Sequence, residues 1–142
     1  MTQHSSFFKI YYEDIDIGGI VYHANYLKFM ERGRTDFLHR CGFDLHTLLI
    51  QEGVQFAVKD LQITFIKSAK LGDEIIVLTE LTELSGAKLI FNQQIATKKA
   101  DDLTTLCTGK IVVVCLDRYL KLIRLPSRLK EELYRASRHF VI

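Results

Sequence analysis

Three carboxylates crowd residues 13–16, and Asp16 is the last of them. Two successive glycines at 18–19 follow and let the backbone turn tightly before a predicted helix that starts near His23. The N-terminus of a helix offers unpaired N–H groups and the positive end of a dipole. A carboxylate beside such donors could activate water or attack directly, while the donors stabilise an oxyanion. Spacing by itself favours the alternative interpretation, a solvated acidic loop that caps the helix.

Other sequence templates for catalysis and ligand binding do not match. The chain has no G-x-S-x-G nucleophile elbow, no phosphate-binding glycine loop and no H-E-x-x-H metal motif. The run from Asp14 begins like a calcium loop. It lacks an Asp or Asn at the fifth position, and Asn25 replaces the bidentate glutamate at the twelfth. We therefore expect neither a metal nor a cofactor.

The cysteines Cys41, Cys107 and Cys115 are odd in number, and no pair has metal-ligand spacing. We interpret them as reduced, buried thiols of a cytosolic protein. A catalytic cysteine is the weaker hypothesis, because Cys107 and Cys115 lie in an apolar, strand-like run.

The remaining pattern predicts the elements that must position these groups. A long helix reaches Cys41 and ends at Gly42, and a short helix follows at about 44–52. A terminal helix starts at 126–127. Alternation of apolar and polar residues predicts strands at 7–12, 54–65, 74–84, 88–98 and 103–116. Strands joined by hairpin-sized turns indicate an antiparallel sheet, and the long helix must cover one of its faces. The predicted fold class is α+β.

Length and composition fit one globular domain over residues 1–142. Apolar residues make up 48% and charged residues 25%, which excludes a disordered or coiled-coil chain. The longest apolar run, 111–116, is far shorter than the roughly 20 residues of a membrane-spanning helix. The N-terminus does not resemble a secretory signal, so we expect a cytoplasmic protein.

The charge is unevenly distributed along the chain. The net charge of +2 is too small for a dedicated nucleic-acid binder. Residues 118–142 nevertheless carry +5, and the preceding residues sum to −3. A basic tail suits phosphate groups, an acidic carrier protein or an anionic membrane surface. A solvated helix face explains it equally well.

Residues 11–34, YYEDIDIGGIVYHANYLKFMERGR, resemble the signature of the 4-hydroxybenzoyl-CoA thioesterase family of hotdog-fold proteins. The agreement is densest with the acyl-CoA thioesterase branch associated with the tol–pal operon. It continues more weakly through LGDEIIV and TGKIVVVCLD to the terminal RLPSRLKEEL. The resemblance implies a hotdog fold, in which an antiparallel sheet wraps around one long central helix. It also implies hydrolysis of acyl-CoA to free acid and thiol, a reaction of lipid metabolism in which CoA belongs to the substrate.

The resemblance also implies roles for individual residues. Asp16 matches the catalytic carboxylate, and His23 matches the position whose backbone N–H polarises the thioester carbonyl. Tyr22 and Tyr26 match positions near the reacting end of the pocket. Asp14 matches an acidic position to which we assign a structural role. Asp16 would act as a general base on water or as a nucleophile that forms a mixed anhydride.

Two segments depart from the family pattern. The chain has 65–70, FIKSAK, where the family often has Tyr-x-x-Pro-Ala-Arg, and this difference reshapes the expected pocket rim. It has Glu31-Arg32-Gly33-Arg34 where the family often has Glu-x-Ala-Arg. Within the helix, Glu31 is expected to pair with Arg34 or Lys28. Neither departure touches Asp16.

Several expectations about partners follow. Lys67, Lys70 and Lys88 are candidate ligands of the CoA phosphates by charge and by position near strand ends. Hotdog domains pair edge to edge, so the resemblance implies a homodimer or a homotetramer with active sites at the dimer interface. The alternative function is a scaffold of lipid synthesis at the inner membrane that binds acyl-carrier protein and turns over substrate incidentally. A hotdog dehydratase fits less well, because the chain lacks the usual histidine motif.

Overall fold

The computed structural model of the protein describes residues 3–139. The chain begins with β1 (His4–Lys9), a 3₁₀ turn (Tyr12–Asp14) and the long helix α1 (Asn25–Arg40). A short helix α2 (Leu45–Thr47) continues as a π-helical turn (Leu48–Glu52). The strands β2 (Gln55–Phe65), β3 (Glu74–Ser85), β4 (Lys88–Lys99) and β5 (Asp102–Leu116) follow, and then helix α3 (Ser127–His139).

The five strands form one antiparallel sheet in the order β1-β3-β4-β5-β2. Tight turns join β3 to β4 and β4 to β5, whereas β2 crosses to the edge beyond β5. Helix α1 packs against β1, β3 and β4. A sheet wrapped around one long helix is the hotdog arrangement, and the predicted α+β class is confirmed.

Helix α1 is amphipathic at helical spacing, and its inner face supplies much of the core. Phe29, Met30 and Phe37 are almost completely buried, and the Phe37 ring meets Phe91 edge-on at 5.7 Å. The helix ends as predicted, with Cys41 as the C-cap and Gly42 in a left-handed conformation. Residues of α1 therefore have fixed positions relative to the sheet.

A polar network is buried under the middle of α1. The Arg34 Nη1 donates to Gln93 Oε1 at 3.0 Å, and the Gln93 Nε2 donates to the Met30 carbonyl and to Thr79 Oγ1, each at 2.9 Å. The Arg34 Nη2 lies 3.2 Å from Glu31 Oε2, which confirms the predicted ion pair. Burial lowers the pKa of Arg34, and the Glu31 carboxylate opposes that shift.

Gly33 lets the helix backbone lie close to this network. A Cβ at this position would lie 2.8 Å from Val77 Cγ1 and 2.9 Å from Thr79 Oγ1. We expect Gly33→Ala to lower the free energy of unfolding by about 1–2 kcal/mol, because overpacking outweighs the gain in helix propensity. Urea unfolding measures the change, with Lys28→Ala on the exposed face of α1 as the control. A Gly33→Ala variant as stable as the wild type would contradict this packing.

Two strand predictions need correction. The first strand was predicted at 7–12 but spans His4–Lys9, because Phe8 pairs with Ile75 and the chain then turns at Tyr12–Asp14. The second was predicted to be half-buried, but most of β2 is exposed because it forms an edge of the sheet. The other three predicted strands agree with β3, β4 and β5 to within one residue at each end.

No helix among residues 3–139 is long and apolar enough to cross a membrane.

Candidate active site

Asp16 lies in a tight turn, and Ile20 of this turn pairs with Lys70 in the segment that follows β2. The Asp16 N–H donates to the Ile20 carbonyl at 2.9 Å, and its carbonyl accepts from Gly19 N–H at 3.0 Å, with Gly19 at φ +81°. Its Oδ1 accepts from Gly18 N–H at 2.8 Å, which orients the exposed carboxylate and leaves Oδ2 without a partner in the described chain. A side chain at position 18 would crowd the same oxygen at 3.3 Å. Gly19 therefore provides the left-handed backbone of the turn, and Gly18 leaves room for the Asp16 carboxylate.

The chain enters α1 directly beside this turn. The first backbone hydrogen bond of the helical turn runs from Asn25 N–H to the Tyr22 carbonyl at 2.8 Å. The N–H groups of His23 and Ala24 therefore have no carbonyl partner within residues 3–139. The helix begins at Asn25, two residues later than predicted.

Asn25 fixes the acidic loop to the start of the helix. Its Nδ2 donates to the Asp14 carbonyl at 2.8 Å, and the same carbonyl accepts from Tyr22 N–H at 3.1 Å. The Asp14 carboxylate accepts from Tyr11 N–H at 2.8 Å, which fits the structural role expected of it. The loop and the helix N-terminus are thus held as one unit.

Tyr26 holds the other wall of the site. It is 2% exposed, and its hydroxyl accepts from Ala69 N–H at 2.9 Å. The Ala69 carbonyl in turn accepts from Val21 N–H at 3.0 Å, next to the Ile20–Lys70 bridge. Burial raises the pKa of Tyr26, so its hydroxyl stays neutral at physiological pH.

We expect Tyr26→Phe to destabilise the fold by about 1–3 kcal/mol, because it leaves the buried Ala69 N–H without a partner. The same change loosens the segment on which the Asp16 turn rests, so turnover should fall along with stability. Thermal unfolding and steady-state rates measure the two effects. Tyr22→Phe removes an exposed hydroxyl just before α1 and serves as the control. Unchanged stability in Tyr26→Phe would show that the hydrogen bond between Tyr26 and Ala69 does not stabilise the fold.

The turn, the helix start and the end of β2 enclose a cavity of about 210 Å³. Phe65 packs edge-on against the His23 imidazole at 5.8 Å and contacts the Tyr26 ring at 5.9 Å. The cavity is lined by Asp16, Ile20, Val21, His23, Tyr26, Phe65, Ile66, Lys67 and Ser68. Asp16 and His23, the residue whose backbone N–H is unpaired, therefore line the same partly apolar cavity.

The structure brings together four of the seven residues predicted for the site: Asp16, His23, Tyr26 and Lys67. Lys70 pairs with Ile20 through its backbone but does not line the cavity. Tyr22 does not line the cavity. Its ring is half exposed and packs on the His23 imidazole at 4.7 Å. Lys88 begins β4 at the end of the sheet away from the cavity. Ile95 of β4 and Phe65 of β2 both pair with Cys107, so Ile95 marks the level of the cavity, and Lys88 lies roughly 23 Å along the strand from it.

Asn25, Phe65 and Ser68 contribute to the site but were not assigned to it from the sequence. Asn25 was considered only as a calcium ligand, although Asn at the start of a helix is a typical local hydrogen-bonding residue. Phe65 and Ser68 lie in the segment that departs from the family pattern. That departure predicted a different pocket rim, but it did not predict which residues line the cavity.

A second cavity, of about 320 Å³, lies along the other half of α1. Aliphatic and aromatic side chains form most of its wall, and Glu31, Arg34, Thr35 and His46 are among its polar residues. It opens beside Gln55 and Val58, at the end of β2 far from Phe65. Within one chain the two cavities are therefore separate.

The cysteines are unsuited to nucleophilic chemistry at neutral pH. Burial raises the pKa of Cys107 to about 12 and that of Cys41 and of Cys115 to about 11. All three are free, and all three stay protonated at neutral pH. Within residues 3–139, no group of His, Cys, Asp and Glu side chains could hold a metal ion.

Relatives by sequence are named as thioesterases. One from Haemophilus influenzae, named acyl-CoA thioesterase YbgC, is 38% identical over 123 residues, which are 86% of this chain and 88% of the relative. One from Escherichia coli O6:H1, named acyl-CoA thioester hydrolase YbgC, is 38% identical over 109 residues, covering 77% of this chain and 78% of the relative.

Solved structures agree with the architecture. A probable thioesterase from Bartonella henselae has a TM-score of 0.76 at 31% identity, covering 89% of this chain and 100% of that one. The 4-hydroxybenzoyl CoA thioesterase from Pseudomonas sp. strain CBS-3 has a TM-score of 0.85 at 16% identity, covering 93% and 99%. At that identity the likeness shows the fold alone.

The family model described as the Thioesterase-like superfamily matches residues 11–136, which include the Asp16 turn, the helix start and the whole cavity between them. The chain belongs to the Thioesterase-like superfamily.

Proposed function

We propose that the protein hydrolyses the thioester of acyl-CoA to a free acid and CoA thiol. The observation that carries the proposal is that the Asp16 carboxylate and the unpaired N–H of His23 border the same cavity. The names of the relatives support the same reaction class. The proposal uses no cofactor, since CoA is part of the substrate.

The chemistry divides between these two groups. The thioester carbonyl oxygen accepts from the backbone N–H of His23, which stabilises negative charge on that oxygen as the carbonyl carbon is attacked. Asp16 either removes a proton from the attacking water or attacks the carbon itself. The carbon–sulfur bond then breaks, and CoA leaves as a thiolate that takes up a proton. In the second route water afterwards cleaves the mixed anhydride and regenerates Asp16.

Oxygen-18 water distinguishes the two routes. Under single turnover, a general base delivers the label directly to the product acid. A nucleophilic Asp16 lets label appear first in the enzyme carboxylate, which would rule out the general-base route.

We propose that Tyr26 and Lys67 bind substrate, Tyr26 through its buried ring at the reacting end and Lys67 through its charge at the rim. Tyr22 contributes through the His23 ring that it supports. Lys88 acts from a second protomer, because it is too far from Asp16 in its own chain to touch the same thioester.

The active unit that we propose is a homodimer, alone or as half of a tetramer, paired along β2. This edge strand is eleven residues long, and Val58, Leu61 and Phe65 are 44%, 39% and 46% exposed. An unpaired edge of this kind favours strand pairing. Antiparallel pairing about a two-fold axis sets the Phe65 end of one strand beside the Gln55 end of the other.

This pairing joins features that are separate within one chain. The 320 Å³ cavity of one protomer meets the partner's Asp16 cavity, which gives the acyl group an apolar continuation. Lys88 of β4 pairs with Val114 of β5, which pairs with Ala57 of β2. Lys88 is therefore level with the end of β2 that lies beside the partner's site in this pairing. Dimerisation would also reduce the contact of Asp16 with bulk solvent.

The competing function is a scaffold at the inner membrane that binds acyl-carrier protein. The basic surface of α3 favours it, since exposed Lys130 has no carboxylate within ion-pair distance among the described residues. Salt-sensitive capture of acyl-carrier protein that is lost on neutralising α3, without appreciable turnover, would favour the scaffold.

Thiol release from a panel of thioesters tests the proposal. The panel spans short, long and aromatic acyl-CoA esters and acyl-carrier protein loaded with the same groups. We expect turnover of at least one CoA ester, with the 320 Å³ cavity setting the preferred acyl size. Turnover of carrier-protein esters alone would identify acyl-carrier protein, not acyl-CoA, as the substrate class. No turnover of any thioester in the panel would contradict hydrolysis.

A further inference from the structure

A protruding turn at residues 117–121 presents apolar side chains to solvent. Tyr119 and Leu120 at its tip are 77% and 68% exposed, and Leu122 beside it is 64% exposed. Within one chain the tip lies apart from the Asp16 cavity, because it follows the C-terminal end of β5, whereas that cavity lies near Cys107 in the same strand.

The turn is rigid. Asp117 Oδ1 accepts from Tyr119 N–H at 2.8 Å and from Lys121 N–H at 3.0 Å, and Asp117 N–H donates to the Lys121 carbonyl at 2.8 Å. Gln55 Nε2 donates to the Asp117 carbonyl at 3.0 Å and ties the turn to β2. The exposed side chains are therefore held outward by a fixed backbone.

Leu120 occupies this tip at a conformational cost. Its φ of +66° is left-handed, a region that glycine and asparagine adopt readily and that costs a leucine free energy. The other non-glycine residue in this region within the described chain is Ala100, which carries only a methyl group. A large apolar group at a strained, solvent-exposed position indicates that the side chain itself has a use.

Three cationic residues lie next to the apolar tip in the sequence, and the guanidinium of one of them, Arg118, packs beside Gly53. Arg118, Lys121 and Arg124 are all exposed, and none of them has a carboxylate within ion-pair distance in the described chain. Asp117 is the acidic residue of the turn, and two backbone N–H groups occupy its Oδ1. The tip thus combines an aromatic residue, two leucines and three unpaired positive charges.

We propose that residues 117–124 are a membrane-surface anchor that inserts Tyr119 and Leu120 into the headgroup region of an anionic bilayer. Tyrosine is favoured at the membrane–water interface, apolar tips gain free energy by insertion, and flanking cations are attracted by anionic lipids. An acidic protein partner would match the charges but would need an apolar pocket complementary to this fixed tip, whereas a bilayer accepts protruding apolar groups without a matching shape. Lipid therefore fits the whole surface better than a carrier protein does.

Sedimentation of the full-length protein with vesicles tests the anchor. The probes are vesicles of phosphatidylcholine alone and of phosphatidylcholine mixed with an equal amount of phosphatidylglycerol. We expect binding to the mixed vesicles that weakens as salt rises, and little binding to the neutral ones. Absence of binding to the mixed vesicles at low salt would overturn the proposal.

Leu120→Asn separates insertion from folding. Asparagine tolerates the left-handed conformation, so we expect thermal stability to hold or rise while vesicle affinity falls about tenfold or more. The matched control is Leu103→Asn, an exposed leucine at the opposite end of β5, which should bind as the wild type does. Equal vesicle binding by Leu120→Asn and wild type would overturn the proposal.

Charge at the tip is tested by replacing Arg118, Lys121 and Arg124 together with glutamine. Affinity for the mixed vesicles should fall about a hundredfold. Its control replaces exposed lysines outside the tip with glutamine, at Lys9, Lys99 and Lys110. Equal losses in both triple variants would show a diffuse charge effect and overturn the proposal. So would a tip variant that loses acyl-carrier protein or acyl-CoA affinity while vesicle binding is unchanged.

Discussion

Asp16→Asn is expected to lower kcat by about a hundredfold to ten-thousandfold, the range attributed to a positioned catalytic base. Asparagine keeps the shape of the side chain, and its Oδ1 can still accept from Gly18 N–H, so the turn should persist. What the variant loses is the charged oxygen that activates water or attacks the carbonyl. Rates of thiol release under saturating acyl-CoA measure the loss, and thermal unfolding verifies that the fold is retained.

Two neighbouring variants make this result specific. Glu13→Gln removes another exposed carboxylate from the same loop and should leave turnover close to that of the wild type. His23→Ala removes the imidazole but keeps the backbone N–H, so it should retain most of the rate. A loss in His23→Ala as large as that in Asp16→Asn would mean that the side chain, not the backbone donor, takes part in the reaction.

Asp60→Lys is expected to dissociate the dimer and abolish turnover together with it. Residue 60 lies in the middle of β2, next to Lys59, so two-fold pairing brings these positions of both protomers close together. The change concentrates positive charge at that axis, and like charges at an interface cost several kcal/mol. The dimer dissociation constant should therefore rise about a thousandfold or more. Light scattering across a concentration series measures it.

Mass action provides the internal check on this prediction. Turnover per chain in Asp60→Lys should recover as protein concentration rises, because the dimer is restored. Asp101→Lys makes the same charge change in the exposed turn before β5 and should leave the dimer intact. A wild type that is monomeric at micromolar concentration, or a monomeric Asp60→Lys that is fully active, would contradict a site assembled from two protomers.

Local sequence signals predicted most of the architecture. The strands β3, β4 and β5 alternate apolar and polar residues, and the turn residues Ser85 and Gly86 mark the first reversal. Helix α1 ended where Gly42 predicted it. The first strand was displaced, because Tyr11 and Tyr12 continue the apolar pattern although Asp14 closes a turn there by accepting from Tyr11 N–H. Such a side-chain hydrogen bond overrides periodicity.

Contacts between distant parts of the chain could not be predicted in this way. Arg34 was predicted only as a possible ion-pair partner of Glu31, yet it is also buried and donates to Gln93 Oε1 across 59 positions. Tyr26 was expected to be near substrate, and its bond to Ala69 across 43 positions became visible only with the fold. Lys88 was predicted from its charge and its position near a strand end, whereas its distance from Asp16 depends on which end of β4 faces the cavity.

A crystal structure of the protein with an acyl-CoA analogue, in which methylene replaces the thioester sulfur, tests the proposed active site most directly. We predict a β2-paired dimer in which the analogue carbonyl oxygen lies about 3 Å from the His23 backbone nitrogen. The Asp16 carboxylate should contact the carbonyl carbon or a water poised beside it, and the acyl group should enter the partner's 320 Å³ cavity. A carbonyl bound away from both Asp16 and the helix start would contradict the proposed site.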